Sequence, residues 1–162
     1  MVKIAVALIR QMPEMPTGCE IAALTMILQT AGSSIDKITL AHELPYHDSD
    51  PNQGFVGDPF SQTGYSIYPP ALTATIEKYI GNSIILSGET IDVLKKHLQQ
   101  QKHPILVWLG PIYGFTIHAL VLTGYDEAGF IINDCWLGKE ITMDYSEFAK
   151  LWENKGKLAI SY

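Results

Sequence analysis

The stretch Gly-Cys-Glu-Ile-Ala-Ala-Leu-Thr-Met-Ile-Leu-Gln-Thr-Ala, Gly18 to Ala31, is apolar on most sides of a helical projection and not along one stripe. A helix of that kind has no face to give to water, so the rest of the chain must close around it. Gly32 supplies its stop. Its start has the form of a capping box, Thr17-Gly18-Cys19-Glu20, with Thr17 as N-cap and Glu20 at the third helical position. Cys19 therefore falls in the first turn of a core helix.

The elements that enclose it follow from pattern and punctuation. Val2 to Ile9 reads as a strand, followed by a loop marked by Pro13 and Pro16. A short helix over Asp36 to Leu44 ends at Pro45, and Tyr46 to Tyr68 has no sustained period, which makes it a substrate-side loop. Pro69-Pro70 opens a helix closed by Gly81, Ile84 to Leu86 is a short strand, and a helix runs from Thr90 to Gln101. Ile105–Leu109, Ala119–Thr123 and Phe130–Asn133 are β-rich runs, a helix capped by Asp144 with Glu147 three residues on reaches Asn154, and Leu158–Tyr162 closes the chain. With helices first and an antiparallel sheet second, the class is α+β. At 162 residues, 47% of them hydrophobic, residues 1–162 make one domain with a core large enough to fold unaided.

The formal net charge of -6, with no cluster of Lys and Arg, excludes nucleic acid and anionic membrane as partners, since both reward dense positive charge. The apolar run Ile4 to Ile9 is too short for a signal-peptide core or a membrane span. The expected location is cytoplasmic, or secreted or cell-surface if the chain is a mature form. Two cysteines are too few for a disulfide framework or a zinc spacing, so each is read singly.

A thiol is a nucleophile as thiolate, and the unpaired N–H groups and positive dipole end of a helix's first turn favour a negative sulfur. A lowered pKa is therefore expected for Cys19. Its partners lie in the strands. His118 begins the run His-Ala-Leu-Val-Leu-Thr-Gly-Tyr-Asp, and Asp134 ends Gly-Phe-Ile-Ile-Asn-Asp. If the hairpin loop is Gly124 to Ala128, Thr123 faces Gly129 and, counting outward, His118 faces Asp134. The carboxylate then fixes the imidazole tautomer and leaves the second nitrogen to take the thiol proton. Oxyanion donors are expected from the Cys19 backbone N–H and the side-chain amide of Gln11.

Gly18, Tyr65, Tyr68 and Trp108 are the expected substrate-binding residues, with Tyr113 and Phe115 as further aromatic lining. His42, His97 and His103 read as surface residues. Asp48, Asp50 and Asn52 imitate the first half of an EF-hand, but the glycine falls one place late at Gly54 and Pro59 stands where the twelfth-position Glu belongs, so no metal is assigned.

Taken together, Gln11 to Glu20, the segment Gly57-Asp58-Pro59-Phe60 with Gly64-Tyr65 and Pro69-Pro70, and His118 to Asp134 resemble the C39-like family of papain-fold cysteine peptidases, in the family's order and over nearly the whole chain. The resemblance matches its nucleophile to Cys19, its oxyanion Gln to Gln11, its His to His118 and its Asp to Asp134. It implies a papain-like fold, N-terminal helices on a C-terminal antiparallel sheet, and hydrolysis of a peptide or protein substrate through a thioester without a cofactor. The branch implied is stand-alone and bacterial, because no transporter segment accompanies the domain. The alternatives are acyl transfer to an amine, as in the related phytochelatin synthases, and a catalytically silent peptide-binding module. One departure is Cys135-Trp136 in place of the usual Pro after the Asp, which sets a second thiol near the site.

Overall fold

A computed structural model describes residues 1–162. Strand β1 (Val2–Lys3) leads through an extended arm to helix α1 (Cys19–Thr30), and helix α2 (Lys37–Glu43) follows. A 3-10 turn at Pro69–Ala71 opens α3 (Thr73–Ile80), which ends on Gly81 in the left-handed conformation. Then come β2 (Ile84–Ile85), α4 (Ile91–Gln100), β3 (Ile105–Leu109), β4 (His118–Tyr125), β5 (Phe130–Asp134), β6 (Lys139–Met143), α5 (Tyr145–Glu153) and β7 (Ala159–Ser161). No helix is long and apolar enough to cross a membrane.

The strands form one antiparallel sheet in the order β2-β7-β3-β4-β5-β6, and β1 adds to the far end of β4. Alternate residues of β3 and β4 feed two separate cores. Leu106, Trp108, Ala119 and Val121 pack with α1, and Ile105, Val107, Leu109, Leu120 and Leu122 pack with Leu94 and Leu98 of α4 and Phe148 and Trp152 of α5. Covering both faces is why β3 and β4 read as nearly unbroken apolar runs in place of an alternating pattern. The helices thus lie on both sides of the sheet, α1 on one and α4 and α5 on the other. The α1 core buries ten consecutive residues from Cys19 to Leu28, as its all-round apolar sequence requires.

Three sequence expectations change. β1 is two residues, not eight, and the chain beyond it runs as an arm whose Ile4 N–H still reaches the Thr123 carbonyl. β6 was not expected: its Lys-Glu-Ile-Thr-Met sequence carries charges suited to a sheet edge, which mask the strand signal. Tyr46 to Tyr68 carries no helix or strand, as expected, and is pinned by fully buried Phe55 and Ile67 and by the bridge of Val56 to Ser66. His97 is a buried residue, its Nε2 lying 2.8 Å from Ser161 Oγ, and His103 stacks half-buried on Tyr162.

The capping box is also absent. Gly18 occupies the N-cap of α1 and no side chain caps that end. Thr17 instead turns its hydroxyl to the carbonyls of Asp58, Pro59 and Ser61, the shortest contact being 2.8 Å to Ser61. Glu20 points into the core.

Candidate active site

The N-terminus of α1 is set by close packing. A Cβ on Gly18 would stand 2.6 Å from Cβ of fully buried Met15, so only glycine lets the chain enter the helix there. Thr17 ties this entry to the 58–64 segment, and a Cβ on Gly64 would lie 2.1 Å from Thr17 Oγ1. Between them a small cleft of about 80 Å³ opens beside Cys19, lined also by Gln11, Tyr65, Phe115 and Ile117. That is well below the roughly 300 Å³ of ordinary ligand pockets.

His118 heads β4, paired with Leu109 of β3. Its relation to Asp134 depends on an irregularity. Tyr125 faces Phe130 and Gly124 faces Ile131, yet Leu122 faces Ile132 and Val121 faces Asn133, so Thr123 is an extra residue on β4. The hairpin loop is therefore Asp126 to Gly129, not Gly124 to Ala128, and His118 does not directly face Asp134 as the counting register had it. Carried on from Val121, the observed register leaves the pair two places apart, a diagonal on one side of the sheet. Without the bulge the offset would be odd and the two side chains would leave opposite sides.

His118 Nε2 is 3.2 Å from Asp134 Oδ1, both groups almost wholly buried. The same Oδ1 accepts the N–H groups of Trp136 at 2.9 Å and Leu137 at 3.2 Å. Burial pulls the Asp134 pKa up, but the hydrogen bond and charge of His118 and the surrounding donors outweigh it and hold the carboxyl below its usual range. Phe115 stacks on the imidazole at 5.5 Å and 13°, and Tyr113 meets it edge-on at 5.7 Å. His118 Nδ1 is buried with no hydrogen-bond partner.

Cys19 is 6% exposed at the head of α1, and its sulfur receives the Ala119 N–H at 3.4 Å, one residue from the imidazole. The thiol donates to Glu20 Oε1 at 2.9 Å, not to His118. Its pKa lies well above the ordinary thiol value, through burial first and then the adjacent Glu20 carboxylate. The lowered pKa expected from the helix dipole is thus overturned: a dipole acting at a helix end is outweighed by desolvation and a neighbouring carboxylate.

Gln11 reaches the cleft, 1% exposed. Its amide Nε2 donates to the Met15 and Pro16 carbonyls at 3.2 and 3.0 Å, and its Oε1 accepts from the Cys135 thiol at 3.3 Å. Both amide hydrogens are engaged, whereas the Cys19 backbone N–H meets no backbone acceptor. Of the four expected substrate residues, Tyr65 lines the cleft and Tyr68 joins it through a 2.9 Å hydroxyl contact. Gly18 is packed under Met15, and Trp108 is fully enclosed in the α1 core, away from the cleft lining. Phe115 lines the cleft and Tyr113 flanks the imidazole.

Ligand atoms of His118, Asp134 and Cys135 lie within 4.8 Å of one another. In this arrangement His118 Nε2 and Asp134 Oδ1 are bonded to each other, Oδ1 also accepts the Trp136 and Leu137 N–H groups, and the Cys135 thiol faces Gln11 Oε1. Sequence reasoning missed Glu20 and Ser66. Glu20 is 1% exposed, accepts the Ser66 hydroxyl at 2.5 Å on Oε2, and has no cationic partner. The signal was present: a carboxylate inside a helix enclosed on all sides has to find donors there.

A helix bearing a thiol at its N-terminus, laid against an antiparallel sheet whose strands carry a bonded His and Asp, is the papain-like architecture. Residues 3–160 match the Peptidase_C39 like family, and the chain belongs to it. It is 29% identical over 175 residues to YvpB of Bacillus subtilis strain 168, itself uncharacterized, an alignment covering 91% of this chain and 70% of that one. A Bacillus anthracis protein assigned to the C39-like peptidases superposes with a TM-score of 0.87 at 29% identity, over 100% of this chain and 97% of the other. The double-glycine-motif protease of an AMS/PCAT transporter, solved with its leader peptide, shares the fold with a TM-score of 0.61 at 16% identity, over 99% and 92% of the two chains.

Proposed function

We propose that residues 1–162 act as one cysteine peptidase domain that cleaves a peptide bond through a thioester. The observation that carries this reading is the buried His118–Asp134 hydrogen bond, which commits Nε2 and leaves Nδ1 unpartnered one residue from the backbone N–H that contacts the Cys19 sulfur. In the proposed reaction the Cys19 S–H bond breaks as its proton passes to Nδ1, and the sulfur attacks the scissile carbonyl carbon. The imidazolium then gives that proton to the departing amine, and water resolves the thioester. Asp134 holds the imidazole, and its negative charge offsets the imidazolium.

The Cys19 N–H, free of a backbone acceptor, serves as one oxyanion donor. Gln11 serves as the other once an amide hydrogen is released from Met15 or Pro16. The substrate class is a peptide, in keeping with the leader peptide held by the transporter protease of the same fold. Tyr65 and Phe115 at the cleft would take its side chains. The cleft as it stands holds no residue-sized group, so peptide entry requires the walls around Phe115 and Tyr65 to part.

The test is a cleavage profile over a peptide library for the natural chain and for Cys19→Ala. Cleavage at defined bonds by the natural chain, lost in a folded Cys19→Ala protein, is the expected result. Binding without cleavage by both proteins would overturn the reading in favour of a peptide-holding module. An added amine acceptor in the same assay separates hydrolysis from acyl transfer by the product formed.

A further inference from the structure

Glu20 is the one buried acid in contact with the Cys19 sulfur, and neither the proton path just described nor the packing of α1 calls for a carboxylate there. Its Oε1 accepts a hydrogen bond from the Cys19 thiol at 2.9 Å and its Oε2 accepts one from the Ser66 hydroxyl at 2.5 Å. Ser66 is fully buried, and its backbone carbonyl bridges Val56, so the anchor belongs to the long segment that lies across the mouth of α1. Meanwhile the nitrogen meant to receive the proton has no partner at all. The thiol is thus held by a carboxylate and not by the imidazole.

We propose that Glu20 is a positioning residue that stores the Cys19 thiol protonated and off the His118 line, with Ser66 as its anchor. This rests on the reading of Cys19 as nucleophile. A change of χ1 rotamer carries a cysteine sulfur about 3 Å, enough to exchange one hydrogen-bond partner for another. When the sulfur leaves Oε1, the S–H bond breaks toward His118 Nδ1, giving a thiolate and an imidazolium, and Glu20 keeps its Ser66 bond throughout. Movement of the 56–66 segment on peptide entry acts on Oε2 directly, which links occupation of the cleft to release of the sulfur. The titratable groups around the Glu20 carboxyl are Cys19 on its own helix, His118 of β4, Cys135 beyond β5 and Tyr68 of the covering segment. Burial and the Glu20 charge both raise the thiol, and burial raises Glu20 as well.

The experiment measures the pH midpoint of iodoacetamide alkylation at Cys19, resolved from Cys135 by peptide mass, in the whole chain and in Glu20→Gln and Ser66→Ala. Glu20→Gln keeps shape and an acceptor but removes the charge, so the midpoint falls by at least about one pH unit and the rate below it rises about tenfold. Ser66→Ala frees Oε2 and weakens the stabilisation of the carboxylate, so the midpoint moves the same way by less. A Glu20→Gln protein that melts like the natural chain and keeps its midpoint overturns the proposal. If that variant does not fold, an unchanged midpoint in Ser66→Ala does so. The nucleophile reading is tested apart: in the Glu20→Gln background, alkylation indifferent to His118→Ala would sink the thiol–imidazole couple while leaving the Glu20 effect intact.

Discussion

At Asp134 three donors converge on a single oxygen. Oδ1 accepts from His118 Nε2, Trp136 N and Leu137 N, while Oδ2 is buried without a partner beside the Tyr113 phenol, whose pKa is raised by burial and then by that carboxyl. An asparagine in the same pose presents its carbonyl oxygen to all three donors and its amide to Tyr113. The imidazole tautomer survives, and what disappears is the charge opposite the imidazolium. Asp134→Asn is therefore expected to lower kcat/KM for a cleaved peptide less than Asp134→Ala, which lets the ring turn and costs about a hundredfold or more. Steady-state kinetics of both variants check this. Equal losses would mean that charge, not orientation, is what Asp134 supplies.

Among the elements, the helix starts show how a motif can be right in letters and wrong in use. Asp144 caps α5 as expected, its Oδ1 accepting the Glu147 N–H at 2.9 Å. Thr17, with the same pattern, caps nothing, because a hydroxyl there has three carbonyls of the 58–61 turn within reach and Glu20 has the thiol and Ser66. Asp144→Ala should cost about 1 kcal/mol of stability by chemical denaturation. Thr17→Val should leave the unfolding free energy of α1 nearly unchanged and speed amide exchange over residues 56–66, read by mass spectrometry. Faster exchange within α1 itself would restore the capping reading. The same division runs through the rest of the chain. Core-facing elements such as α1, β3 and β5 were legible because apolar pattern alone decides them. The His118–Asp134 pairing was legible as a pair, but not its register. That register is set by the Thr123 bulge, whose backbone crowding against β1 leaves no trace in residue type apart from Gly124, where a Cβ would lie 2.1 Å from the Val2 carbonyl. The Glu20 contact and the enclosure of Trp108 come from distant segments meeting, which local pattern does not encode.

For the molecule as a whole, the acid limb of stability has an identifiable source. His97 of α4 lies against β7, where the Ser161 hydroxyl donates its single proton to the Pro104 carbonyl at 2.7 Å, so the 2.8 Å contact must be His97 Nε2–H donating to Ser161 Oγ. Burial, with the nearby His103, lowers the pKa of this ring from 6.5 to about 4, so it is neutral in the folded chain at neutral pH. The unfolded chain takes up that proton near pH 6.5 and the folded one only near pH 4, so between these values the unfolded state holds more protons and stability falls as the solution is acidified. Above pH 6.5 His97 contributes no slope, and below about pH 4 its effect is complete, at most about 3 kcal/mol. Urea unfolding at pH 7.5, 5.5 and 4.5 should show this decline in the natural chain. His97→Gln, which retains an amide donor for Ser161 but cannot be charged, should flatten it. The carboxylates held below their usual range, Asp134 among them, add a decline of their own from about pH 5 downward, where the unfolded chain begins to protonate them; both proteins share it, so the difference between their curves is the His97 contribution. Parallel declines in the two proteins would place the acid sensitivity elsewhere than at the α4–β7 contact.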